Sequence, residues 1–442
     1  MTLRLARRLA ALVALVLGIA ALAAGCGGDE ERGADDDRGT VPSQPAATGA
    51  SGTETQSPSP ATTNGSTEPN AAPPPGASVS VTQSSTGPSG AGATPPPPRP
   101  AVDRFVVGAV DDAARHPGPM LDQLAAAGFG ALGITSYWEP GRAAPVPGEL
   151  AVLRDTAARA TARDLRVFLA VFHRGSATTP LTPAARRQFA LYTAAILRGV
   201  PAIRDVIVGN EPNLNRFWLP QFGPNGENVA SRDYYALLAQ VHDAAKGAAP
   251  DVRIWGGALA PRGVDRPNTG RDTQSPRRFL NGLGAAHRAS GRSVPPLDGF
   301  AFHPYPASSQ APPDRPNPPA SKQLGLADHQ RLRRLVREAF GRDLPLLYSE
   351  LGVETAIPPA KRHLYEGEEP GRPVDEGTQA EYYRRALQLA ACQQGVVGML
   401  LFHSHDEPFL TGFQSGVYYV DGTPKASLEP VRRAILRARA GC

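Results

Sequence analysis

Between residues 105 and 402 the chain repeats one pattern eight times, a short apolar run followed by a stretch of helical periodicity. Apolar runs of this length are typical of buried strands, and the amphipathic stretches between them are typical of helices. Eight strand–helix units in about 340 residues favour an α/β fold of the closed (β/α)₈ type over an open doubly wound sheet. The predicted strands are Phe105–Val110, Gly130–Tyr137, Leu165–Phe172, Asp205–Gly209, Arg253–Ala258, Leu297–Phe302, Leu344–Ser349 and Val396–Phe402.

The predicted connections are asymmetric. Those from helix to strand are short, whereas four of those from strand to helix are long and span 213–231, 261–275, 303–325 and 353–377. Barrels build their sites from the loops at the C-terminal ends of the strands, so we expect the site on that face. Helix N-caps are predicted at Thr182, Ser231, Ser275 and Thr378.

Residues 1–25 have the order of an export signal, with three arginines before an apolar run that ends at Ala24. The segment Ala23-Ala24-Gly25-Cys26 resembles a bacterial lipobox, in which the cysteine is lipidated, although Leu22 lies one place earlier than usual. We expect a lipid on Cys26, with simple secretion or an uncleaved anchor as alternatives. The chain is therefore expected outside the cytoplasm, secreted or held on the outer face of the bacterial cell membrane.

Residues 26–102 are rich in Ser, Thr, Pro, Gly and Ala and have hardly an aromatic residue. Such a composition cannot bury enough apolar surface to offset the entropy of ordering, and it predicts a disordered tether. The remaining residues, 103–442, are predicted to form one catalytic domain on that tether.

Charge and cysteine content restrict the partners and the stabilising bonds. The net charge is only +5, and the basic cluster Arg331-Leu-Arg-Arg334 is typical of a solvated helix face, so nucleic-acid binding is not expected. Three cysteines exclude a disulfide scaffold. Cys392 and Cys442 are as consistent with a disulfide in an oxidising compartment as with two free thiols.

Two glutamates end predicted strands that closure would bring together. Strand four ends in Asn210-Glu211-Pro212, and strand seven carries Ser349-Glu350 near its end. Glycoside cleavage needs a protonated carboxyl group to assist the leaving oxygen and an ionised one to attack the sugar or activate water. Glu211 and Glu350 are therefore the candidate catalytic pair.

The two strand ends resemble those of a large clan of retaining glycoside hydrolases built on (β/α)₈ barrels. That clan includes the cellulase/mannanase-type and xylosidase/iduronidase-type families. The likeness extends to His303-Pro-Tyr305 after strand six and to the tail 416–425, Gly-Val-Tyr-Tyr-Val-Asp-Gly-Thr-Pro-Lys. It covers essentially all of residues 103–442.

The resemblance implies a role for each matching residue. Glu211 would be the general acid/base, with a pKa raised by burial and by Glu350, and Glu350 would be the nucleophile. Asn210 would bind the hydroxyl next to the anomeric carbon. Tyr305 would orient Glu350, and His303 would line the site. The other expected substrate-binding residues are His173, Trp138, Trp218 and His403, whereas Trp255 is expected in the core.

The sequence also departs from the clan. Many members have a tryptophan at the end of strand eight, and here that stretch reads Leu401-Phe402-His403. Many also have an arginine near strand one or two that supports the nucleophile, and this sequence shows no clear counterpart.

Two other functions were weighed. His403-x-His405 could ligate a metal, as in barrel metallohydrolases, but strand one lacks the His-x-His that those enzymes place there. We therefore expect neither a metal nor another cofactor. The unusual sugar pocket also leaves a non-catalytic carbohydrate-binding barrel as the alternative to a glycosidase.

Overall fold

The protein's computed structural model describes residues 105–270 and 272–442. Eight parallel strands close into a barrel in chain order, with the first strand bonded to the eighth. The predicted (β/α)₈ barrel is confirmed. The export signal predicted at 1–25, the lipid site at Cys26 and the tether predicted at 26–102 lie outside the described residues.

Every observed strand coincides with a predicted one, and no end differs by more than two residues. The strands are β1 (Val106–Val110), β2 (Ala131–Trp138), β3 (Arg166–His173), β4 (Asp205–Val208), β5 (Arg253–Leu259), β6 (Gly299–Phe302), β7 (Leu346–Leu351) and β8 (Val396–Phe402). The α-helices of the described part are α1 (Met120–Ala126), α2 (Pro147–Thr161), α3 (Pro183–Gly199), α4 (Ala230–Ala248), α5 (Pro276–Ala289), α6 (His329–Phe340), α7 (Glu376–Cys392) and α8 (Leu428–Ala440). None of them is long and apolar enough to cross a membrane.

Apolar side chains pack against both faces of the barrel strands. Val206 and Val208 of β4 belong to the large cluster that joins strands and helices, whereas Ile207 between them belongs to a smaller cluster formed by strand residues. Parallel strands buried on both faces need apolar residues at successive positions, which is why the strands read as continuous apolar runs.

The N-terminal end of β4 carries a buried charge on the face opposite the candidate site. The Asp205 carboxylate is fully buried and accepts hydrogen bonds from Arg166 at 2.7 Å and from the Trp255 indole at 2.9 Å. Trp255 is 2% exposed, so its expected place in the core is confirmed. Packing at this N-terminal end of a barrel supports stability rather than chemistry.

Two of the four predicted N-caps are confirmed. Thr182 accepts from the third residue of α3, and Ser275 does the same for α5. The other two predictions are wrong. Ser231 lies inside α4, which begins one residue earlier. Asp375 caps α7 by accepting from the Thr378 N–H, since a carboxylate is also favoured by the positive end of the helix dipole.

A disulfide joins Cys392, the last residue of α7, to the C-terminal Cys442, with their Cα atoms 4.8 Å apart. The sequence left this pairing open, and the structure decides it. The bond holds α8 against α7 and closes a loop with a sequence separation of 50 residues.

We predict that Cys392→Ser and Cys442→Ser each lower the free energy of unfolding by about 2–4 kcal/mol, because the disulfide restricts the unfolded chain. Urea unfolding under non-reducing conditions measures this. The double variant should match the single ones, and reductant should destabilise only the wild type. Equal stability of wild type and variants would contradict the pairing.

The tail 416–425 is fastened to the loop after β8 by a buried ion pair. Lys425 is 2% exposed, and its ammonium donates to Asp406 at 2.8 Å and to Thr355 at 2.6 Å. Burial lowers the pKa of Lys425 and raises that of Asp406, while each charge favours the ionised form of the other. The backbone N–H of Val417 also donates to the Ser404 carbonyl at 2.9 Å. The tail thus fixes the loop that carries His403.

We predict that Lys425→Met costs about 3–5 kcal/mol of unfolding free energy, because it leaves the Asp406 carboxylate buried without its partner. Lys361→Met is the matched control, since its ion pair with Asp421 is partly exposed and should be worth about 0–1 kcal/mol. Urea unfolding compares the two. Similar small losses for both variants would contradict a structural role for the buried pair.

Candidate active site

The chain turns sharply where β4 ends. Gly209 has φ of 81°, and a Cβ there would lie 3.0 Å from the Tyr234 ring, so glycine is required. Glu211 also has a positive φ, 38°, and its N–H donates to the Ala258 carbonyl at 2.9 Å. Strained backbone of this kind is concentrated at functional sites, where the surrounding structure holds it. The turn places the Glu211 carboxylate at the C-terminal mouth of the barrel.

One buried amide that the sequence analysis missed supports this turn. Asn213 is fully buried, accepts from the Ala260 N–H at 2.9 Å and donates to the Gln274 carbonyl at 2.9 Å. It therefore ties the loop after β4 to the loop after β5. Its position three residues after Asn210 was the only signal in the sequence.

Glu350 is the second-last residue of β7, and its carboxylate contacts a residue that follows β6. Tyr305 donates its hydroxyl to Glu350 Oε2 at 3.2 Å. The contact that the resemblance implied is therefore present. The side chains of Glu211 and Glu350 are 14% and 19% exposed, which leaves both accessible from the barrel mouth.

His303 contacts both carboxylates. Its Nδ1 atom lies 3.1 Å from Glu211 Oε1 and 3.4 Å from Glu350 Oε2, and the residue is 1% exposed. Because both oxygens contact one nitrogen, they lie at most about 6.5 Å apart, the sum of the 3.1 Å and 3.4 Å contacts. Burial lowers the pKa of His303, but the charges of Glu350 and Glu211 outweigh it and raise that pKa above its ordinary value.

The site also perturbs the Glu350 carboxyl. Burial raises the pKa of Glu350 and the Glu211 charge adds to the rise, whereas His303 and the Tyr305 hydroxyl oppose it. The sequence analysis expected a raised pKa at Glu211, and the structure raises that of Glu350.

Three further predicted residues surround the pair. Asn210 is half-buried, and its side-chain amide makes no hydrogen bond with a described residue. His173 is 4% exposed and its Nδ1 lies 2.8 Å from the Gly175 carbonyl; burial lowers its pKa to about 4, so the ring is neutral. His403 Nδ1 lies 2.9 Å from the Val110 carbonyl, and its buried Nε2 atom has no hydrogen-bond partner. Asn210 thus keeps its amide for a ligand, whereas His403 Nε2 is buried and lies 3.8 Å from a Glu407 carboxylate oxygen.

The two tryptophans do not offer a surface for a sugar, and this prediction is corrected. Trp138 is 0% exposed, packs against Phe189 and donates its indole N–H to the Arg142 carbonyl at 2.7 Å. Trp218 is 1% exposed and packs edge-on against His173, with ring centroids 5.6 Å apart. Both rings support the site from behind.

Solved structures that share this fold include several glycoside hydrolases. A family 39 glycoside hydrolase from the gut symbiont Bacteroides cellulosilyticus has a TM-score of 0.53 at 17% identity, over 76% of this chain and 64% of that chain. A glucosidase from Croceicoccus marinus has a TM-score of 0.53 at 15% identity, over 77% and 68%. GH5_18 from Streptomyces cattleya, in complex with GlcNAc, has a TM-score of 0.52 at 18% identity, over 77% and 81%.

This chain has the barrel fold of the glycoside hydrolases. It spans less than two thirds of the length of the family 39 enzyme, 64%. Identities this low establish the fold, and the activity has to be argued from the site. No protein-family model and no curated protein sequence matches the chain.

An aromatic ring does lie at the end of β8, although it is not a tryptophan. Phe402 is half-buried, and Phe413 packs edge-on against it with ring centroids 4.9 Å apart. Its ring also lies 4.0 Å from that of His403. The sequence analysis considered this position only for its missing tryptophan and did not propose Phe402 as a site residue.

No arginine of the described part contacts Glu350. Arg115, which follows β1, pairs with Glu149 and donates to the Thr135 carbonyl at 3.0 Å instead. The contacts of Glu350 with described side chains are those with Tyr305 and His303.

The metal hypothesis for His403 and His405 finds no support. His405 Nδ1 contacts the Ser404 hydroxyl at 3.0 Å and its Nε2 contacts Gln123 at 2.9 Å, so both ring nitrogens are engaged. Within residues 105–270 and 272–442, no group of three or more histidine, cysteine or acidic side chains is arranged to hold a metal ion.

We predict that Tyr305→Phe moves the acidic limb of the kcat/KM profile to higher pH and lowers the rate roughly tenfold. The hydroxyl favours the ionised form of Glu350, so its loss raises that pKa further. The profile is measured on an aryl glycoside that the wild type cleaves. Tyr382→Phe, which removes a hydroxyl bonded to an exposed loop carbonyl, is the control. An acidic limb that stays in place or moves down would contradict the role of Tyr305.

Proposed function

We propose that the protein is an extracytoplasmic glycosidase that hydrolyses O-glycosidic bonds with retention of configuration. The observation that carries the proposal is the convergence of Glu211 and Glu350 on one nitrogen of His303. Two carboxyl groups at the C-terminal mouth of a barrel have the chemical groups that acid-assisted glycoside cleavage requires.

In the proposed first step Glu350 attacks the anomeric carbon while Glu211 donates a proton to the leaving oxygen. The bond between the anomeric carbon and the leaving oxygen breaks, and an ester between Glu350 and the sugar forms. In the second step Glu211 takes a proton from water, and the water oxygen displaces Glu350 from the anomeric carbon. Both carboxyl groups then regain their starting protonation.

The spacing of the carboxylates supports retention over inversion. Inverting enzymes separate the two groups by about 6.5–9.5 Å to admit a water, whereas retaining enzymes hold them about 5–5.5 Å apart. The limit of about 6.5 Å between Glu211 Oε1 and Glu350 Oε2 follows from their contacts of 3.1 Å and 3.4 Å with His303. A separation below that limit falls outside the range of inverting enzymes and includes that of retaining ones.

The neighbours of the pair have supporting roles in this proposal. Tyr305 orients Glu350 and favours its ionised form through the 3.2 Å hydrogen bond. His303, placed between the two carboxylates, offsets their mutual repulsion. The unbonded amide of Asn210 is available for the sugar hydroxyl next to the anomeric carbon.

The proposed compartment has independent support. The Cys392–Cys442 disulfide is of a kind that persists in oxidising environments and is rare in the cytoplasm. We accordingly keep the proposal of an exported chain with a lipid on Cys26 that anchors it to the membrane. Metabolic labelling with a fatty acid, in the wild type and in Cys26→Ser, tests it; equal labelling of the two would refute lipid attachment at Cys26.

We predict that Glu350→Gln lowers turnover by on the order of a thousandfold or more, because no nucleophile remains. Glu211→Gln should cost about 10²–10⁴-fold for substrates whose leaving group needs a proton, and much less for dinitrophenyl glycosides. Glu354→Gln, four residues beyond Glu350, is the matched control and should retain turnover. A panel of 2-fluoro glycosides, followed by peptide mass mapping, should label Glu350.

The same measurements distinguish a glycosidase from the alternative, a non-catalytic carbohydrate-binding barrel. Sugar binding without turnover, unchanged in Glu350→Gln, would support that alternative. Turnover with the label on another residue would refute the assignment of Glu350. Product analysis by NMR tests retention directly, since an inverted first product would exclude the covalent step.

A further inference from the structure

A small charged cavity lies where β2 and β3 end, on the same face as the catalytic pair. Its volume is about 200 Å³, several times the roughly 30 Å³ that one water occupies. Six of its lining residues matter here: Arg115, Tyr137, Glu139, Arg142, Glu149 and Arg174. None of them has a role in the mechanism proposed above.

The charges of this cavity do not cancel. Arg115 pairs with Glu149 at 2.5 Å, and Arg142 pairs with Glu139 at 2.9 Å. The third cation, Arg174, forms no ion pair with a described carboxylate. Arg174 is therefore the one arginine of these six lining residues that has no ion-pair partner among the described residues.

Arg174 is held in place without its hydrogen-bonding capacity being used. Its guanidinium stacks on the Tyr137 ring, 4.3 Å from the ring centroid. Its carbonyl accepts from the Thr178 hydroxyl at 2.9 Å, which holds the backbone of the turn. Because stacking occupies only the face of the guanidinium, the N–H groups at its edge remain available for a planar acceptor such as a carboxylate.

The Tyr137 hydroxyl offers a second donor beside it. Among the described residues no partner hydrogen-bonds this hydroxyl, although the side chain is half-buried. Burial, followed by the charge of Asp112, raises the pKa of Tyr137 to about 12, so the hydroxyl stays protonated and can donate. A neutral donor and an unpaired cation are thus adjacent.

The cavity adjoins the catalytic centre. Tyr137 lies near enough to Glu350 for that carboxylate to contribute to the rise in the tyrosine's pKa. β3, which carries His173 at its end, pairs with β2 on one side and with β4 on the other. A sugar bound at the pair can therefore extend a substituent or a neighbouring ring toward Arg174.

We propose that Arg174 and Tyr137 form a subsite for the carboxylate of an acidic sugar, so that the substrate is a uronic-acid-containing glycoside. This inference rests on the proposed glycosidase function and names its substrate class. Each glutamate of the cavity pairs with its own arginine, so Arg174 is the cation of the cavity that remains for the carboxylate of a ligand.

The test measures binding in the Glu350→Gln protein by titration calorimetry, so that turnover is not needed. The probes are trigalacturonate, trimannuronate and a glucuronate-containing hyaluronan tetrasaccharide, each beside its carboxyl-reduced counterpart. At least one acid form should bind roughly tenfold tighter than its reduced partner, as expected for hydrogen bonds to a charged group. The difference should shrink with added salt and vanish when Arg174→Gln is added.

Arg342→Gln is the matched control, an identical change at an exposed arginine before β7 that should preserve the difference. Equal binding of acid and reduced forms, a difference that survives Arg174→Gln, or no binding of any probe would each overturn the inference. A 6-sulfated neutral oligosaccharide that binds as tightly as the uronates would overturn the carboxylate assignment. Turnover of neutral glycosides by the wild type, together with equal binding of acid and reduced forms, would refute the subsite and leave the glycosidase proposal intact.

Discussion

The imidazole of His303 is the contact on which the arrangement of the site depends. Glu211 and Glu350 lie on strands that are three apart in the barrel, and each carboxylate disfavours ionisation of the other. A buried ring that contacts both, at 3.1 Å and 3.4 Å, allows them to remain close. The contact exists only because closure brings the ends of β4, β6 and β7 to one mouth.

The part of the mouth next to β8 depends on residues that follow the last strand. The loop after β8 carries His403, and the tail holds this loop through the Lys425–Asp406 pair and through backbone hydrogen bonds. Ser415 adds a bond from its hydroxyl to the Phe402 carbonyl. Burial makes these bonds strong while they are intact and costly to break, so a segment remote from the chemistry determines where His403 lies.

The charges at the mouth are separated rather than mixed. Glu211 follows β4 and Glu350 lies near the end of β7, whereas Arg174, which has no ion-pair partner among the described residues, follows β3. Such a separation favours one orientation of a charged sugar through the electrostatic potential, in addition to the shape of the site. Stacking on Tyr137 holds the guanidinium in position before a ligand binds, so less rotamer entropy remains to be lost on binding.

The sequence by itself determined the barrel and the candidate pair, because both depend on local order along the chain. Apolar runs located every strand to within two residues, and polar residues at strand ends put Glu211 and Glu350 on one face. The direction in which a side chain points was not determined by the sequence. Trp138 and Trp218 are of the residue type that stacks on sugars, yet they are 0% and 1% exposed. The disulfide, the contacts of His303 and the stacked Arg174 were decided by the tertiary structure alone. Each joins residues distant in the chain, and only closure of the barrel sets their distance.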